Sequence, residues 1–313
     1  MKAAALEAHQ KPLVVKELPD PTPGPRDAVI TVKGEGICRS DWHAWMGDWV
    51  VVPVVWCCMA CEYCLSGRQN LCANMLIPGF TNDGGYGRQA LITNADANMV
   101  ALPDSVDFVT AAAMGCRFPT AYHGVRDQGR VRGGEWVAVH GCGGVGLSVV
   151  QIASVLGANV VAVDLSDEKL AKAKELGAVA TVSAKAGNVP QAVQEITKGG
   201  AHVSVDALGI ATTCTNSVLS LRKGGRHVQI GLTTQAEKGF VSLPVDLITA
   251  MEIEFIGCLV LKQSGYPEML AMVESGKVDP HKVVSRTVPI EEASSVVESM
   301  TDFGTLGMVI INQ

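Results

Sequence analysis

The strand-like run Trp136-Val-Ala-Val-His140 passes without a break into Gly141-Cys142-Gly143-Gly144-Val145-Gly146, which opens an apolar helical segment reaching Leu156. A strand, a glycine turn and a helix in that order let the chain turn sharply and bring bare backbone up to a phosphate. They also aim helix N-terminal N–H groups at negative charge. A glycine motif alone reads equally well as a flexible loop; here its two flanks decide. Asp164 ends the next strand-like run, 18 residues beyond Gly146, where a carboxylate can accept both hydroxyls of a ribose. The three features predict a dinucleotide site. A carboxylate at 164 would repel a 2′-phosphate, and Leu165-Ser166-Asp167 offers no arginine to receive one, so NAD is expected over NADP.

From about residue 136 the chain alternates short β-branched runs with helical segments. Strands are expected at 136–140, 159–163, 180–183, 202–207, 226–230 and 253–257, with helices at 145–156, 167–176, 189–197 and 212–221 between them. Six β runs separated by helices imply an α/β fold, a parallel sheet covered on both faces. The first hundred residues differ. Pro19, Pro21, Pro23 and Pro25 break the chain, and short strands such as Ala28–Val32 alternate with loops. The tail holds one helix, 266–274, and one strand, 308–311.

A second constraint is Cys58-x2-Cys61-x2-Cys64-x7-Cys72, four thiols on tight turns within reach of one tetrahedral ion. Disulfides fit poorly, because cysteines at i and i+3 rarely meet the bridge geometry. An iron–sulfur cluster is the stronger rival, but the ferredoxin pattern closes with an x3 gap followed by proline, where this chain has x7 followed by Ala73. A closed four-cysteine zinc site is expected, structural because no position stays open.

A net charge of −6 gives no broad basic field, which argues against nucleic acid and anionic membrane as partners. The apolar run Val50–Cys58 contains Pro53 and is far shorter than the roughly 20 residues of a spanning helix. Glu7 stands where a secretory signal needs its apolar centre. With ten cysteines that suit reduced thiols and metal, the expectation is a cytoplasmic protein.

Taken together, these features resemble the zinc-dependent medium-chain alcohol dehydrogenases. The resemblance runs through Gly36-Ile-Cys38-Arg-Ser40-Asp-Trp-His43, the four-cysteine segment, Gly115-Cys116-Arg-Phe-Pro-Thr120-Ala-Tyr, the glycine turn and Val203-Ser-Val-Asp206-Ala-Leu-Gly209. It covers nearly the whole chain. It implies a doubly wound parallel Rossmann sheet inserted in a mainly β GroES-like catalytic domain. Residues 1–118 and 258–313 would form the catalytic domain with its structural zinc lobe, and 119–257 the NAD-binding domain. It further implies that Cys38 and Cys116 are ligands of a catalytic zinc, that Ser40 hydrogen-bonds the substrate hydroxyl, and that His43 passes its proton onward. Thr120 would help hold the nicotinamide. The cofactor-binding set is then Thr120, Gly141, Gly143, Gly144, Val145, Gly146, Asp164, Lys169 and Ile230. The activity implied is NAD-dependent interconversion of a small alcohol and an aldehyde or ketone, in a homodimer or homotetramer. His9, His123, His140, His202, His227 and His281 read as structural or surface residues, and Cys57, Cys142, Cys214 and Cys258 as small apolar fillers.

The chain departs from that family at one place. A Gly-His-Glu motif normally follows the first catalytic cysteine and supplies a zinc ligand; here Met46-Gly47 runs straight into Asp48-Trp-Val-Val-Val-Pro53. A segment of a few tens of residues is absent between Gly47 and Asp48. Two of three catalytic ligands then remain, with His43, Asp41 and Asp48 as possible substitutes. Its loss is expected to uncover apolar surface. The alternative reading is an NAD-binding protein with structural zinc only. A zinc-free reductase ranks lower, because such relatives generally lack Cys38 and the four-cysteine lobe.

Overall fold

The structure, a computed structural model, describes residues 1–5, 14–36, 42–45, 48–185, 187–300 and 303–312, and of Ala5, 34–36, 42–45 and 48–49 the backbone only. The chain divides into two compact units, Met1–Pro119 with Val260–Gln313, and Thr120–Leu259.

The second unit is built on six strands: β1 (Trp136–His140), β2 (Asn159–Asp164), β3 (Ala180–Ser183), β4 (Ala201–Asp206), β5 (Leu221–Gln229) and β6 (Glu254–Gly257). They form one sheet in the order β3-β2-β1-β4-β5-β6, and every pairing is parallel. The order reverses between β1 and β4, whose register sets Asp206 opposite His140. Helices α1 (Gly144–Val155), α2 (Asp167–Glu175), α3 (Val189–Thr197) and α4 (Ala211–Leu219) cover it. The doubly wound sheet expected from the alternating pattern is present. Its strands are continuous apolar runs because both faces are covered; Val137, Ala138, Val139, Val160, Val161 and Ala162 are all 0% exposed.

Local sequence explains where the helices begin. Ser166 caps α2 by accepting from the Lys169 amide, with Asp167 and Glu168 in its first turn and Lys172 and Lys174 in its last, each sign matching the helix dipole. Asn188 caps α3 in the same way through the Gln191 amide. The predicted helix 212–221 ends earlier, at Leu219, because β5 already starts at Leu221.

The first unit consists of small sheets. Lys2–Ala5 pairs with Val14–Glu17 and Ala28–Thr31 with Gln89–Ile92, both antiparallel. Met308–Asn312 lies between Val284–Val288 and Gly34–Gly36, so the tail completes a sheet begun near the N-terminus. Trp42–Trp45 pairs with Asp48–Val51 in an antiparallel register that matches Trp45 to Asp48. Only residues 46 and 47 join these two strands, at the point where the resemblance leads one to expect a longer segment. The run Val50–Cys57 that follows is buried throughout, so among the described residues the apolar chain beyond the join is covered rather than exposed.

Candidate functional site

The glycine turn sits at the carboxyl end of β1, beside the reversal of strand order. Gly141 has φ +91°, a left-handed conformation that suits glycine. A Cβ on Gly146 would collide with the Gly141 carbonyl oxygen, whereas one on Gly143 would meet nothing within 4 Å. The third glycine therefore permits close helix–strand packing, and the second faces open space. Gly143 is the N-cap of α1 and brings no capping side chain, so among the described residues its first N–H groups, those of Gly144, Val145 and Gly146, have no side-chain acceptor. That arrangement fits an anionic phosphate group.

Asp164 ends β2 next to this turn. Its Oδ2 accepts from the Cys142 amide at 2.7 Å and its Oδ1 from the Ser166 amide at 2.8 Å. Each oxygen retains a lone pair for a ribose hydroxyl. Lys169 is buried in the first turn of α2, and its charge lies close enough to Cys142 to oppose the rise in that thiol's pKa caused by burial. Ile230 follows β5; its amide donates to the Asp206 carbonyl at 3.0 Å. Thr120, also buried, lies on the helix Arg117–His123, and its carbonyl accepts from the Cys258 thiol at 3.7 Å.

The four cysteines of the first unit do converge. The Sγ atoms of Cys58, Cys61, Cys64 and Cys72 all lie within 4.8 Å of one another, Cys61–Cys64 at 3.5 Å and Cys61–Cys72 at 3.8 Å. A tetrahedron with zinc–sulfur bonds of ~2.3 Å has sulfur–sulfur edges of about 3.8 Å. None of the four is in a disulfide. Backbone amides point at the sulfurs: Ala60 at Cys58, Ala73 at Cys61, and both Cys58 and Asn74 at Cys72. The amide of Ala60 and the side chain of Asn74 hold the Cys58 thiol down, while burial pushes Cys64 and Cys72 up. Four thiolates so close together need a cation to ionise as a group, and a divalent metal fits the donor set.

Cys116 is half-buried against the cluster of Val54, Val55 and Val260. Tyr266 stands near it, its phenol driven upward by burial and secondly by the Cys116 charge. Among the described residues Cys116 belongs to no group of three possible ligands; the four-cysteine cluster is the only such group. Cys38, Ser40 and Asp41 lie outside the described residues, as do the side chains of His43 and Asp48. The remaining cysteines behave as fillers: burial raises Cys57 and Cys142, lifts Cys214 to about 11 and lifts Cys258 to about 12.

One group of polar residues was given no functional role by the sequence, which read His227 as structural or surface and used Asp206 only as part of a family motif. Ser204, Asp206, Ser217 and His227 are each 0% exposed. His227 Nδ1 lies 3.2 Å from Ser204 Oγ and 3.1 Å from Ser217 Oγ, and its Nε2 lies 3.0 Å from Gln229 Oε1. The signal was present in Arg226-His-Val-Gln-Ile230, where a strand buried on both faces alternates polar with apolar residues.

Comparisons with known proteins agree with this geometry. Residues 144–275 match a family described as zinc-binding dehydrogenase. An alcohol dehydrogenase of Geobacillus stearothermophilus is 32% identical over 99% of this chain and 99% of its own length. One from Moraxella sp. (strain TAE123) is 31% identical over 100% and 99%. The crystal structure of an NAD-dependent alcohol dehydrogenase superposes with a TM-score of 0.91 at 27% identity, and an alcohol dehydrogenase from Thermus sp. ATN1 with 0.92 at 27%, each covering 100% of both chains. The chain belongs to the zinc-binding alcohol dehydrogenase family. The Geobacillus alignment spans 346 positions against a chain of 313 residues, so at least the difference, 33 positions, faces no residue of this chain.

Proposed function

We propose that this chain is an NAD-dependent oxidoreductase that interconverts an alcohol and an aldehyde or ketone by zinc-assisted hydride transfer. The observation that carries the reading is the turn Gly141–Gly146, with its uncapped helix N-terminus and open Gly143, set beside Asp164. The unit Thr120–Leu259 is the NAD-binding domain in this reading. The amides of Gly144, Val145 and Gly146 hold the pyrophosphate, Asp164 takes the ribose hydroxyls, and Thr120, Lys169 and Ile230 complete the cofactor contacts. NAD, when bound, supplies the hydride acceptor.

The first unit is the GroES-like catalytic domain. Cys58, Cys61, Cys64 and Cys72 hold a structural zinc. Of the catalytic zinc ligands, Cys116 is described; Cys116 alone cannot hold a catalytic zinc, which needs three protein ligands. The others would come from the stretch 37–49, Cys38 first. Ser40 would bind the substrate hydroxyl and His43 relay its proton. The rival reading, a protein with structural zinc only, sits less well with full-length likeness to proteins named alcohol dehydrogenases.

Two further parts of the reading concern assembly and location. Strand β6 is an edge strand, paired among the described residues with β5 alone. Phe255 and Leu259 are 42% and 41% exposed there, and the nearby helix Val245–Ala250 has no buried residue. An open edge flanked by apolar side chains suits pairing with a second copy, which supports a homodimer or a larger assembly. No helix among the described residues is long and apolar enough to cross a membrane, and the nine described cysteines are free thiols, which supports a reducing, cytoplasmic setting.

The test combines NADH titration, NADH formation from primary and secondary alcohols, and zinc content. Binding, turnover and about two zinc ions per chain are expected. NADH binding without turnover of any alcohol in zinc-supplemented buffer, at about one zinc per chain, would overturn the enzyme reading in favour of its rival.

A further inference from the structure

A dinucleotide laid along this sheet has its two halves placed by the strands. With the adenine ribose at Asp164 on β2 and the pyrophosphate at the turn after β1, the other half must cross the reversal in strand order and lie over the ends of β4 and β5. The backbone there is two loops, Ala207–Gly209 after β4 and Ile230–Leu232 after β5, packed directly on each other. A Cβ on Gly231 would lie 2.3 Å from the Gly209 amide nitrogen, and one on Gly209 would lie 2.2 Å from the Leu232 carbonyl oxygen.

One buried residue ties both loops together. Asp206 Oδ1 accepts from the Leu208 and Gly209 amides at 3.0 and 3.1 Å. Its Oδ2 accepts from Gln229 Nε2 at 3.0 Å, and the same nitrogen donates to the Gly231 carbonyl at 2.7 Å. The Asp206 carbonyl accepts the amides of Ile230 and Gly231 at 3.0 and 2.9 Å. Gln229 is held in turn by His227, whose neutral Nε2–H donates to Gln229 Oε1 at 3.0 Å, leaving Nδ1 to accept from Ser204 and Ser217. A polar chain therefore runs from the interior beneath α4 to the two loop tips, with the carboxylate as its terminal acceptor.

We propose that Asp206, locked by Gln229, is the positioning residue for the nicotinamide half of the cofactor crevice, holding the loops after β4 and β5 at one fixed separation. This rests on the NAD reading above. The carboxylate touches only protein, so its effect passes through loop geometry. Charge-assisted hydrogen bonds to a fully buried carboxylate are the strong kind, and losing one leaves buried donors without an acceptor.

The experiment measures NADH and ADP-ribose affinities side by side on the full chain. ADP-ribose keeps the adenosine, pyrophosphate and second ribose but has no nicotinamide. Asp206→Asn turns a donor toward Gln229 Nε2 and breaks that link; NADH should weaken by about tenfold or more while ADP-ribose stays within about twofold. Should Asp206→Asn fail to fold, Gln229→Ala, which leaves the bonds to Leu208 and Gly209, carries the same comparison. Equal weakening of both ligands would overturn the proposal and make Asp206 general scaffolding. A wild-type chain that binds neither ligand would remove the NAD reading itself, a result distinct from either.

Discussion

Gly146 and Gly141 approach so closely that a Cβ on Gly146 would fall 1.8 Å from the Gly141 carbonyl oxygen. The obstacle is backbone, which cannot rotate aside as a side chain could. Gly146→Ala must therefore push α1 away from β1, at a cost of about 1–3 kcal/mol. The expected outcome is a lower melting temperature together with weaker NADH binding, read by thermal denaturation and fluorescence titration. An alanine variant with unchanged melting and affinity would show that α1 is not packed as described.

Asp164 anchors the turn and carries the cofactor preference. Asp164→Ala removes the acceptor for the Cys142 and Ser166 amides and the negative charge that opposes a 2′-phosphate. NAD affinity should fall about tenfold or more, with a far smaller loss for NADP. Paired titrations with the two cofactors check it, and parallel losses would remove the assignment.

Met59 has φ 55° between two cysteines of the cluster, a left-handed conformation that costs a non-glycine residue roughly 1–2 kcal/mol. It is 47% exposed, so little packing offsets that cost. Met59→Gly should raise the melting temperature of the zinc-loaded chain and slow zinc loss to a chelator. Cys61→Ser should do the reverse, lowering zinc content by about one ion per chain. Melting curves with and without chelator, alongside metal analysis, test both.

The interior histidines give the protein an acid weakness. Burial, and secondly the charge of His227, lowers His140 to about 3, and burial lowers His227 as well. Both are neutral in the fold, while the unfolded chain binds their protons below about pH 6.5. Their contribution is complete above that pH and is lost as pH falls from about 6.5 toward the depressed folded values, at up to ~1.4 kcal/mol per pH unit for each histidine. His140 Nε2 has no hydrogen-bond partner among the described residues, so His140→Phe removes a buried, unpaired polar atom. Denaturant melts from pH 7.5 to about pH 4.5 should show a shallower decline for that variant; an identical slope would exclude His140 as a contributor.

Much of the sheet was legible because its two signals are local. The β-branched runs give five of the six strand positions within a residue, β5 starting five residues before its expected Arg226, and the Ser166 and Asn188 caps mark helix starts. The four-cysteine cluster was legible for the same reason, all its ligands falling within fifteen residues. What the sequence did not disclose is non-local. That Asp206 meets Gln229 depends on β4–β5 register, which no spacing encodes. The apolar run from Val50 raised an expectation of uncovered surface, yet its burial is set by partners far along the chain.

The way the tail closes the first unit has a consequence for synthesis. Gly36 is a register partner of Ile310, so the sheet holding it cannot form until Ile310 has left the ribosome. The unit Thr120–Leu259 is contiguous and can fold as soon as it emerges. The cysteine cluster, whose contacts are short in sequence, can close earlier still once metal is present. Val54 and Val55, which pack with Val260, must wait through all of that unburied in a nascent chain. Removing Met308–Asn312 should therefore leave Val284–Val288 and Gly34–Gly36 without the strand that joins them.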